Sequence, residues 1–412
     1  MPGPLHGIRV IDVSAMLSGP WAADILGDQG ADVIKVEPPG TGDHTRKLRH
    51  ANAGLPAAFL NINRSKRSLT LNLKTAHGLE LLHRLVPGAD VFIQNFRPGV
   101  AERMGIGYDA LHAVNPRLVY LSISGFGESG PLAGRRAYDP VIQALSGLTT
   151  IQAGADDRKP SLVRTVLPDK LTAITAAQAV SAALFARERS GEGQHVRLSM
   201  LDTVLAFLWA SDMNGQTFVE RPVEPQKAAS FIDLIYQTRD GHMTVAVMGN
   251  AEWRGLCHAL GHPEWLEDAR FQSPTARDEH VNERLEMTQA VLREKTTAEW
   301  LDLFELHDLP CAPALTRAEA IRHPQVHANG TLLELDHPVA GRLRQPRPAA
   351  RFSRTPPALP RGAPRLGEHN AEILAELGLD AAEIARLRAD GTVGNEHDAG
   401  AAEGAPAQAA TT

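Results

Sequence analysis

A strand–helix–strand pattern at the start of the chain restricts the fold more than any other feature of the sequence. Ile8–Val13 and Ala31–Glu37 are short apolar runs, and the segment Trp21–Asp28 between them has the pattern of a helix. Two strands joined by a helix over about 30 residues lie parallel in one sheet. The same alternation continues through residues 68–124 and 167–199. It predicts an α/β fold with a doubly wound, Rossmann-like large domain.

The alternation stops near residue 211, where an irregular stretch with Pro222 and Pro225 begins. Beyond it, two strand-like runs flank the Asp240-Gly241 turn, which is a hairpin signal, and helical segments follow. These features predict a second, smaller α+β domain. The predicted division is 1–211 for the first part of the large domain, 212–230 for a linker, 231–325 for the small domain, 326–393 for the return linker and the last part of the large domain, and 394–412 for a disordered tail.

Composition limits the partners and the compartment. The chain has 42 Lys+Arg against 48 Asp+Glu, a net charge of −6, which argues against nucleic acid or an anionic membrane as a partner. Its two cysteines, Cys257 and Cys311, are far apart, and we find no signal-like or bilayer-length apolar run. We therefore expect a globular, cytoplasmic protein.

Three short motifs look like cofactor or catalytic signatures but fail on their context. Gly125–Gly130 matches GxGxxG after a strand, but Pro131 stands where the helix that binds a pyrophosphate should begin. His258 and His262 have the spacing of a zinc pair, but no third ligand accompanies them. The serines within 122–129 lack the GxSxG elbow of serine hydrolases. We therefore expect no metal, no dinucleotide and no serine triad.

A basic cluster stands out in this acidic chain. The segment 63–68 carries three cations, Lys74 follows it, and Arg97 and Arg103 come after the next predicted strand. Ligands bind at the carboxyl edge of a parallel sheet, and Arg and Lys are the residues that meet phosphate. Two interpretations stay open on this feature alone, a phosphate site and ordinary solvent-exposed surface charge.

Asp169 follows Pro168 at the start of a long predicted helix that runs to about Arg187. Proline and aspartate are both common at helix starts, so the carboxylate has a structural interpretation as a cap. Aspartate is also one of the side chains that form covalent intermediates. The helix field should keep its pKa at or below about 3.9, and the helix amides would stabilise oxyanions. The apolar face of this helix is predicted from Leu171, Ile174, Ala177, Val180, Leu184 and Phe185.

A series of short motifs runs through most of the chain: Gly7–Asp12, Ser18–Pro20, Gly30–Glu37, Asn63–Lys74, Asn95–Gly99, Tyr138–Asp139, Gly191–Gln194, Leu309–Pro313 and Leu366–Asn370. With these motifs, residues 7 to about 390 resemble the class III coenzyme A transferases, which include the formyl-CoA and carnitine-type enzymes. A series of this length is far more specific than any single short motif.

The resemblance implies an activity, a site and an assembly. Such enzymes move CoA from an acyl-CoA to a carboxylic acid without a metal or a permanently bound cofactor, and Asp169 falls on their aspartate nucleophile. The implied intermediates are mixed anhydrides and an aspartyl-CoA thioester. Two subunits would interlock as a homodimer. The CoA contacts carried over onto this chain are Leu17, Ser18, Leu71, Lys74, Asn95, Phe96, Arg97, Arg103, Arg136, Ala137 and Tyr138.

This chain departs from the family pattern in places that bear on function. Leu17 and Pro38 stand where formyl-CoA transferases carry glutamine and arginine, and residues 224–230 replace a run of glycines that closes over the intermediate. An oxalate–formate substrate pair is therefore not expected. The related α-methylacyl-CoA racemases carry a catalytic histidine where this chain has Ala137 or Tyr138, so a racemase is one alternative. The other is a CoA-binding protein without catalysis, in which the aspartate is only a cap.

Overall fold

The computed structural model describes residues 3–154, 156–220, 235–357, 359 and 361–395. Within the chain there are two compact units. The first comprises Met1–Leu148, Leu162–Leu208 and Gly330–Thr412, and the second comprises Thr149–Ser161 and Trp209–Asn329. The second unit therefore includes a short segment, 149–161, that the predicted division did not set apart. Residues 221–230 of the predicted linker and 396–412 of the predicted tail lie outside the described residues.

Strands and helices alternate through most of the first unit, whereas the second is mainly helical. The strands are β1 (Arg9–Asp12), β2 (Asp32–Glu37), β3 (Ala51–Asn52), β4 (Leu55–Pro56), β5 (Lys66–Thr70), β6 (Val91–Gln94), β7 (Val119–Ser124), β8 (His195–Ser199), β9 (Tyr236–Gln237), β10 (His242–Val245), β11 (Cys311–Pro313), β12 (Leu332–His337) and β13 (Gly341–Pro346). The helices are α1 (Ser18–Asp28), α2 (Ala57–Ile62), α3 (Ala76–Leu85), α4 (Val100–Arg103), α5 (Tyr108–Val114), α6 (Asp139–Leu145), α7 (Leu148–Ala153), α8 (Leu167–Ser190), α9 (Met200–Trp209), α10 (Asn250–Leu260), α11 (Pro274–Glu279), α12 (Val281–Leu292), α13 (Thr297–Leu306), α14 (Arg317–Ala320), α15 (Pro324–Ala328), α16 (Asn370–Glu376) and α17 (Ala381–Ala389).

Six strands of the first unit form one parallel sheet in the order β5-β2-β1-β6-β7-β8. Val10 of β1 lies opposite Val33 of β2 on one side and Val91 of β6 on the other. The chain builds outward from β1 through β2 to β5, and then returns to place β6, β7 and β8 on the opposite side. The predicted doubly wound α/β class is confirmed. Because the direction of building reverses between β1 and β6, the loops after these strands leave a crevice there.

Alternate side chains of the sheet enter two separate cores. Ile11, Ile34 and Phe92 are fully buried on one face, in the core that also takes side chains of α3, α5 and α16. Val10 and Val33 are fully buried on the other face, in the core that takes side chains of α1 and α8. Burial on both faces fixes the strand register, because a slip of one residue would exchange the two sets.

Helix α8 crosses one face of the sheet and ends at Gly191, whose φ of 79° suits glycine. It packs on α1 and also contacts β7 and β8. The predicted apolar face was partly wrong, because Ile174 and Phe185 are exposed. Small side chains on the true inner face allow the close approach of α8 to α1. The buried residues of α8 are Pro168, Thr172, Ala173, Ala176, Ala177, Val180, Ala183, Leu184 and Arg187.

The basic cluster of residues 63–68 is neither a phosphate site nor solvent-exposed charge, so both interpretations were wrong. The segment leads into the amino end of β5, away from the carboxyl edge of the sheet. Lys66 Nζ lies 3.0 Å from Asp12 Oδ2, and Arg64 Nη2 lies 2.6 Å from Asp28 Oδ2, with all four side chains buried. Acids on β1 and α1 neutralise these cations inside the unit.

The second unit contains a three-stranded sheet in the order β11-β10-β9, in which β10 pairs antiparallel with both neighbours. The predicted hairpin around Asp240-Gly241 is confirmed for its described residues, while 231–234 lie outside them. Trp253, Trp265 and Trp300 are the largest side chains of its core.

Across the residues that the structure describes, no helix combines the length and the apolar composition needed to cross a membrane. The helices of the first unit instead cover the sheet, and α8, the longest of them, carries the arginine Arg187 on its buried side. Arg187 Nη1 pairs with Asp90 Oδ1 at 2.8 Å.

Candidate active site

The loops at the carboxyl edge of the parallel sheet carry the residues predicted to contact CoA. Loops that follow neighbouring parallel strands lie side by side, so one edge collects residues that are far apart in sequence. Leu17 and Ser18 follow β1, Leu71 and Lys74 follow β5, Asn95, Phe96 and Arg97 follow β6, Arg103 ends α4, and Arg136, Ala137 and Tyr138 precede α6.

These residues differ in what they offer to a ligand. The side chain of Leu71 is only 1% exposed and belongs to the core, so a ligand would meet it mainly through its backbone. Ala137 packs on Gly125 so closely that a Cβ on the glycine would overlap it. The side chains open to solvent are Lys74, Arg97, Arg103, Arg136 and Tyr138.

The loop of residues 13–17, between β1 and α1, is fixed by side chains from neighbouring segments. The Asn95 amide brackets Ala15, accepting from its backbone N–H at 2.9 Å and donating to its carbonyl at 2.7 Å. Asp43 Oδ1 accepts from the backbone N–H of Met16 at 3.3 Å. Met16 has a φ of 71°, a left-handed conformation that costs a non-glycine residue about 1–2 kcal/mol. The side-chain contacts therefore hold the loop in a shape that it would not adopt alone.

A buried charge cluster lies beneath this loop. Asp12 Oδ2 pairs with Lys66 Nζ at 3.0 Å, and Lys35 Nζ pairs with Asp43 Oδ2 at 2.9 Å and donates to the Ser14 carbonyl at 3.0 Å. Burial raises the pKa of Asp12, but Lys66, Lys35 and a hydrogen bond from Ser14 outweigh it, so the pKa lies below its ordinary value. Asp12 is therefore a permanently charged structural anion at neutral pH.

Asp169 is the third residue of α8, and its carboxylate does not cap that helix. The N-cap position is Val166, which makes no side-chain cap. Hydrogen bonding from Ser18, the first residue of α1, acts instead to lower the pKa of the Asp169 carboxylate. The cap interpretation was therefore wrong, and the starts of two helices converge on this carboxylate.

A third helix start, that of α6, brings a second acid. Asp139 is 4% exposed, and its Oδ2 accepts from the backbone N–H of Asp169 at 3.2 Å. Its Oδ1 accepts from Gln143 Nε2 at 2.7 Å. Gln143 also accepts from the Val163 amide at 2.9 Å and donates to the Thr165 carbonyl at 3.2 Å, which fixes the chain that enters α8. The Asp169 amide, expected to serve an oxyanion, is thus already occupied.

The electrostatics of Asp169 differ from the expectation. Burial, and then repulsion by Asp139, raises the pKa of Asp169 from 3.8 to about 6, against the opposing hydrogen bonds of Ser18. The expected pKa, at or below about 3.9, was wrong because the sequence shows neither the burial of this carboxylate nor the second acid beside it. A carboxylate of this kind is ionised at neutral pH and more basic than usual, which favours nucleophilic attack.

A cavity of about 380 Å³ lies where β6 and β7 end and beside the first residues of β8, and its lining includes Phe96 and Arg97 of the predicted CoA site. Ser122 Oγ and His195 Nε2 are 2.7 Å apart in its wall, and the Tyr108 ring stacks on the imidazole at 4.8 Å. Burial and the charge of Arg197 lower the pKa of His195 to about 4. Within the described residues, His195 Nδ1 has no hydrogen-bond partner, so no acid orients the ring and this pair does not form a Ser–His–Asp triad.

The order of motifs along the chain decides the family. A sequence model described as CoA-transferase family III matches residues 5–370, which includes every site residue described above. The chain belongs to CoA-transferase family III.

Relatives and solved structures agree with this membership. A succinate–glutarate CoA-transferase from Agrobacterium fabrum is 37% identical over 388 residues, covering 91% of this chain and 96% of that protein. A succinyl-CoA–D-citramalate CoA-transferase from Chloroflexus aurantiacus is 34% identical over 397 residues, covering 94% of this chain and 98% of that protein. The crystal structure of a CAIB/BAIF family protein from Brucella suis matches at 32% identity with a TM-score of 0.77, covering 92% of this chain and 100% of that one. This family III chain is therefore a class III acyl-CoA transferase, whose substrates are CoA thioesters.

The family III site contains contacts that sequence reasoning missed. Sequence reasoning assigned both Ser18 and Asp169 to the site, but it did not predict that Ser18 influences the Asp169 carboxylate. Asp139 belonged to a recognised motif without a role, and Gln143 was not singled out. A signal for Asp139 was present, because an acid at the first position of a helix is placed to meet free amides. The partner amide, 30 residues further on, could come only from the fold.

Proposed function

We propose that this enzyme transfers CoA from a dicarboxylic acyl-CoA to a dicarboxylic acid through covalent intermediates on Asp169. The observation that carries the proposal is the setting of that residue, which is half-buried, has a raised pKa and lies beside the second acid Asp139. Exposed cations surround the same edge of the sheet, where a CoA thioester would have to lie for its carbonyl to reach the carboxylate.

The first half of the reaction loads CoA onto the enzyme. An oxygen of Asp169 attacks the thioester carbonyl of the donor, and the carbon–sulfur bond breaks to give a mixed anhydride and CoA thiolate. The thiolate then attacks the aspartyl carbonyl of the anhydride, which forms an aspartyl-CoA thioester and releases the donor acid as its carboxylate. Each step replaces one activated acyl bond by another, so the exchange needs no ATP.

The second half runs the same steps in reverse with a new acid. The acceptor carboxylate attacks the aspartyl-CoA carbonyl and expels CoA thiolate, which gives a second mixed anhydride. The thiolate then attacks the acceptor carbonyl, forming the product acyl-CoA and restoring the Asp169 carboxylate. CoA must stay bound during these steps, because its high local concentration is what makes the second thiolate attack fast.

We assign the exposed cations at the carboxyl edge to the phosphates of CoA. Lys74, Arg97, Arg103 and Arg136 are all exposed there, whereas Arg64 and Lys66 are buried in ion pairs and have no charge to offer. Arg and Lys bind phosphate oxygens through charge-assisted hydrogen bonds. Leu17, Ser18, Leu71, Asn95, Phe96, Ala137 and Tyr138 complete the proposed site.

The substrate class follows from the relatives. Both relatives described above are named for succinate or succinyl-CoA together with glutarate or citramalate, all of which are dicarboxylic acids or their CoA thioesters. We extend this class to the present chain. Two departures from the formyl-CoA transferases agree with this extension, because Leu17 and Pro38 stand where those enzymes carry glutamine and arginine. A panel of succinyl-, glutaryl-, acetyl- and formyl-CoA donors, each with matched acids, tests it, and a preference for monocarboxylic pairs would contradict it.

We also propose that the enzyme works as an interlocked homodimer in the cytoplasm. Apolar side chains on the helices near the site are exposed in the single chain, which supports a buried assembly surface. They are Val141, Leu145, Ile174, Phe185 and Phe207. Light scattering coupled to size-exclusion chromatography should give twice the mass of the chain, and a monomer at micromolar concentration would rule out the dimer.

Trapping with hydroxylamine tests the covalent mechanism. Incubation with succinyl-CoA and hydroxylamine should modify Asp169 as its hydroxamate, located by peptide mass spectrometry. Asp169→Ala should abolish transfer and labelling while the dissociation constant for CoA stays the same, because the side chain reacts but does not hold the nucleotide. Transfer that persists in Asp169→Ala would end the proposal, and α-proton exchange without labelling would favour a racemase instead.

A further inference from the structure

Gln143 is a buried amide on α6 whose hydrogen bonds reach two segments that meet at Asp169. Its side chain is 2% exposed, and it lies about one helical turn after Asp139, on the same side of α6. We propose that Gln143 is a positioning residue for the transfer reaction, which fixes the backbone of Asp169 through Asp139 and through the turn that leads into α8. This inference rests on the proposed covalent function of Asp169.

The start of α8 has no side-chain cap of its own, so its backbone amides need acceptors from elsewhere. The residue at its N-cap position makes no side-chain hydrogen bond. The Leu167 amide donates to the Thr165 carbonyl at 2.9 Å, and Pro168 has no N–H. The Asp169 amide donates to Asp139 Oδ2 at 3.2 Å. Asp139 therefore does for α8 what a capping residue normally does, although it belongs to another helix.

The Gln143 side chain holds this acceptor in place and uses both of its polar atoms to do so. Nε2 donates to Asp139 Oδ1 at 2.7 Å and to the Thr165 carbonyl at 3.2 Å, and Oε1 accepts from the Val163 amide at 2.9 Å. One side chain thus orients the capping carboxylate and fixes the residues that precede α8. The role requires an amide, because an ionised glutamate has no donor and methionine is at most a weak acceptor.

The position of Asp169 should matter for the rate of attack and not for the binding of the thioester. In the first step an Asp169 oxygen forms a bond to the thioester carbonyl carbon, the carbon–sulfur bond breaks and CoA thiolate leaves. A misplacement of the attacking atom by about 1 Å can cost about 100-fold in rate. The hydrogen-bond partners of Gln143 named above include none of the residues that we assign to CoA, so its loss should leave the affinity for the thioester unchanged.

The rate at which the aspartyl-CoA adduct forms measures this role. Enzyme and a series of succinyl-CoA concentrations are mixed rapidly and quenched in acid, and intact-protein mass spectrometry follows the adduct. For Gln143→Met, which keeps a side chain of similar length, we expect the rate at saturating succinyl-CoA to fall about 10- to 100-fold. The concentration that gives half of this rate should not change. A saturating rate equal to that of the wild type would overturn the proposal, and so would a fall that disappears at saturation.

Gln345→Met is the matched control for the loss of a buried amide. Gln345 is 3% exposed in the same unit, and its Nε2 donates to the Leu60 carbonyl at 2.9 Å and to Asn61 Oδ1 at 3.1 Å. Both variants should melt at a lower temperature than the wild type, because each leaves buried polar groups without a partner. Only Gln143→Met should slow adduct formation. Equal slowing in the two variants would mean that the rate follows general stability, which would overturn the positioning role.

Gln143→Glu separates the two kinds of contact that the amide makes. The introduced carboxylate can still accept from the Val163 amide, but it cannot donate to Asp139 and repels that acid. At neutral pH we expect adduct formation to be at least as slow as in Gln143→Met, with the same half-saturating concentration. A rate close to that of the wild type would overturn the role through Asp139 and leave the covalent mechanism intact. If the wild-type enzyme itself forms no adduct, the proposed function fails and this inference fails with it.

Discussion

Two carboxylates of the first unit, Asp12 and Asp169, have opposite electrostatic surroundings. Asp12 is fully buried among Lys66, Lys35 and donors of the loop, and its pKa is lowered. Asp169 is half-buried, faces a second acid, and its pKa is raised to about 6. The first carboxylate accepts from the Ser14 amide and holds the loop in shape, whereas the second lies beside Asp139, whose Oδ2 accepts from the Asp169 backbone N–H.

The comparison shows that the surroundings of a carboxylate decide whether it serves stability or chemistry. A carboxylate surrounded by cations is a weak base and a weak nucleophile, because protonation or acylation would break its ion pairs. A carboxylate that is partly desolvated and repelled by another acid is more reactive, but it makes the folded state less favourable. Neutralising Asp12 should therefore lower the stability of the folded protein, whereas neutralising Asp169 should raise it.

Asp12→Asn should give the largest effect. The substitution leaves Lys66 buried without its charge partner, and breaking a buried pair in this way costs about 3–5 kcal/mol. We expect a large fall in the urea midpoint and a loss of soluble protein. Glu334→Gln is the control, because Glu334 pairs with Arg342 and Arg344 on the surface and its loss should cost about 1 kcal/mol or less. Equal midpoints for the two variants would show that Asp12 is not the structural anion described here.

Asp139→Asn should shift the pH dependence of adduct formation. The nucleophile is the ionised carboxylate, so the rate falls as the pH drops through the pKa of Asp169, at about 6. Without the Asp139 charge that pKa falls, and the acid limb should move down by about 1 pH unit, which gives nearly tenfold faster labelling at low pH. The plateau at high pH should fall, because a less basic carboxylate is a weaker nucleophile.

The matched control for that variant is Asp109→Asn. Asp109 stands in the first turn of the short helix α5, is exposed, and has no part in the setting of Asp169. Its pH profile should superimpose on that of the wild type. If the acid limb of the Asp139→Asn profile stays at the same pH as in the wild type, burial alone sets the pKa of Asp169.

The fold and the reactive residue were predictable because they depend on local patterns. Two apolar runs joined by a helix within about 30 residues require parallel strands in one sheet. The family motifs place Asp169 at a helix start. What the carboxylate contacts was not predictable. Ser18 is 151 positions away, and nothing in either local sequence specifies that α1 and α8 begin side by side.

The prediction for the basic segment 63–68 failed for a related reason. Its charges looked like a ligand site because their counter-ions, Asp12 and Asp28, lie on other elements. A charge count along the chain cannot tell a cation that is paired in the core from one that is free at the edge. Lys74 and Arg97 follow their strands instead of preceding them, and they are among the cations that reach the carboxyl edge.

Asp169→Asn should produce the smallest effect, an increase in thermal stability that depends on pH. The pKa of Asp169 is 3.8 as an ordinary carboxyl group and about 6 in the folded protein, so the folded state binds the proton more tightly. Ionisation therefore opposes folding, and the cost is absent below pH 3.8, grows between 3.8 and about 6, and is complete above that value. The neutral amide never has this cost. Above pH 6 we expect Asp169→Asn to melt about 2–4 °C higher than the wild type, the shift that 1 kcal/mol gives in a domain of 150–250 residues. Melting curves from pH 4 to 8 measure the difference, which should close as the pH falls, and a variant that is less stable at every pH would place Asp169 with Asp12 as a structural anion.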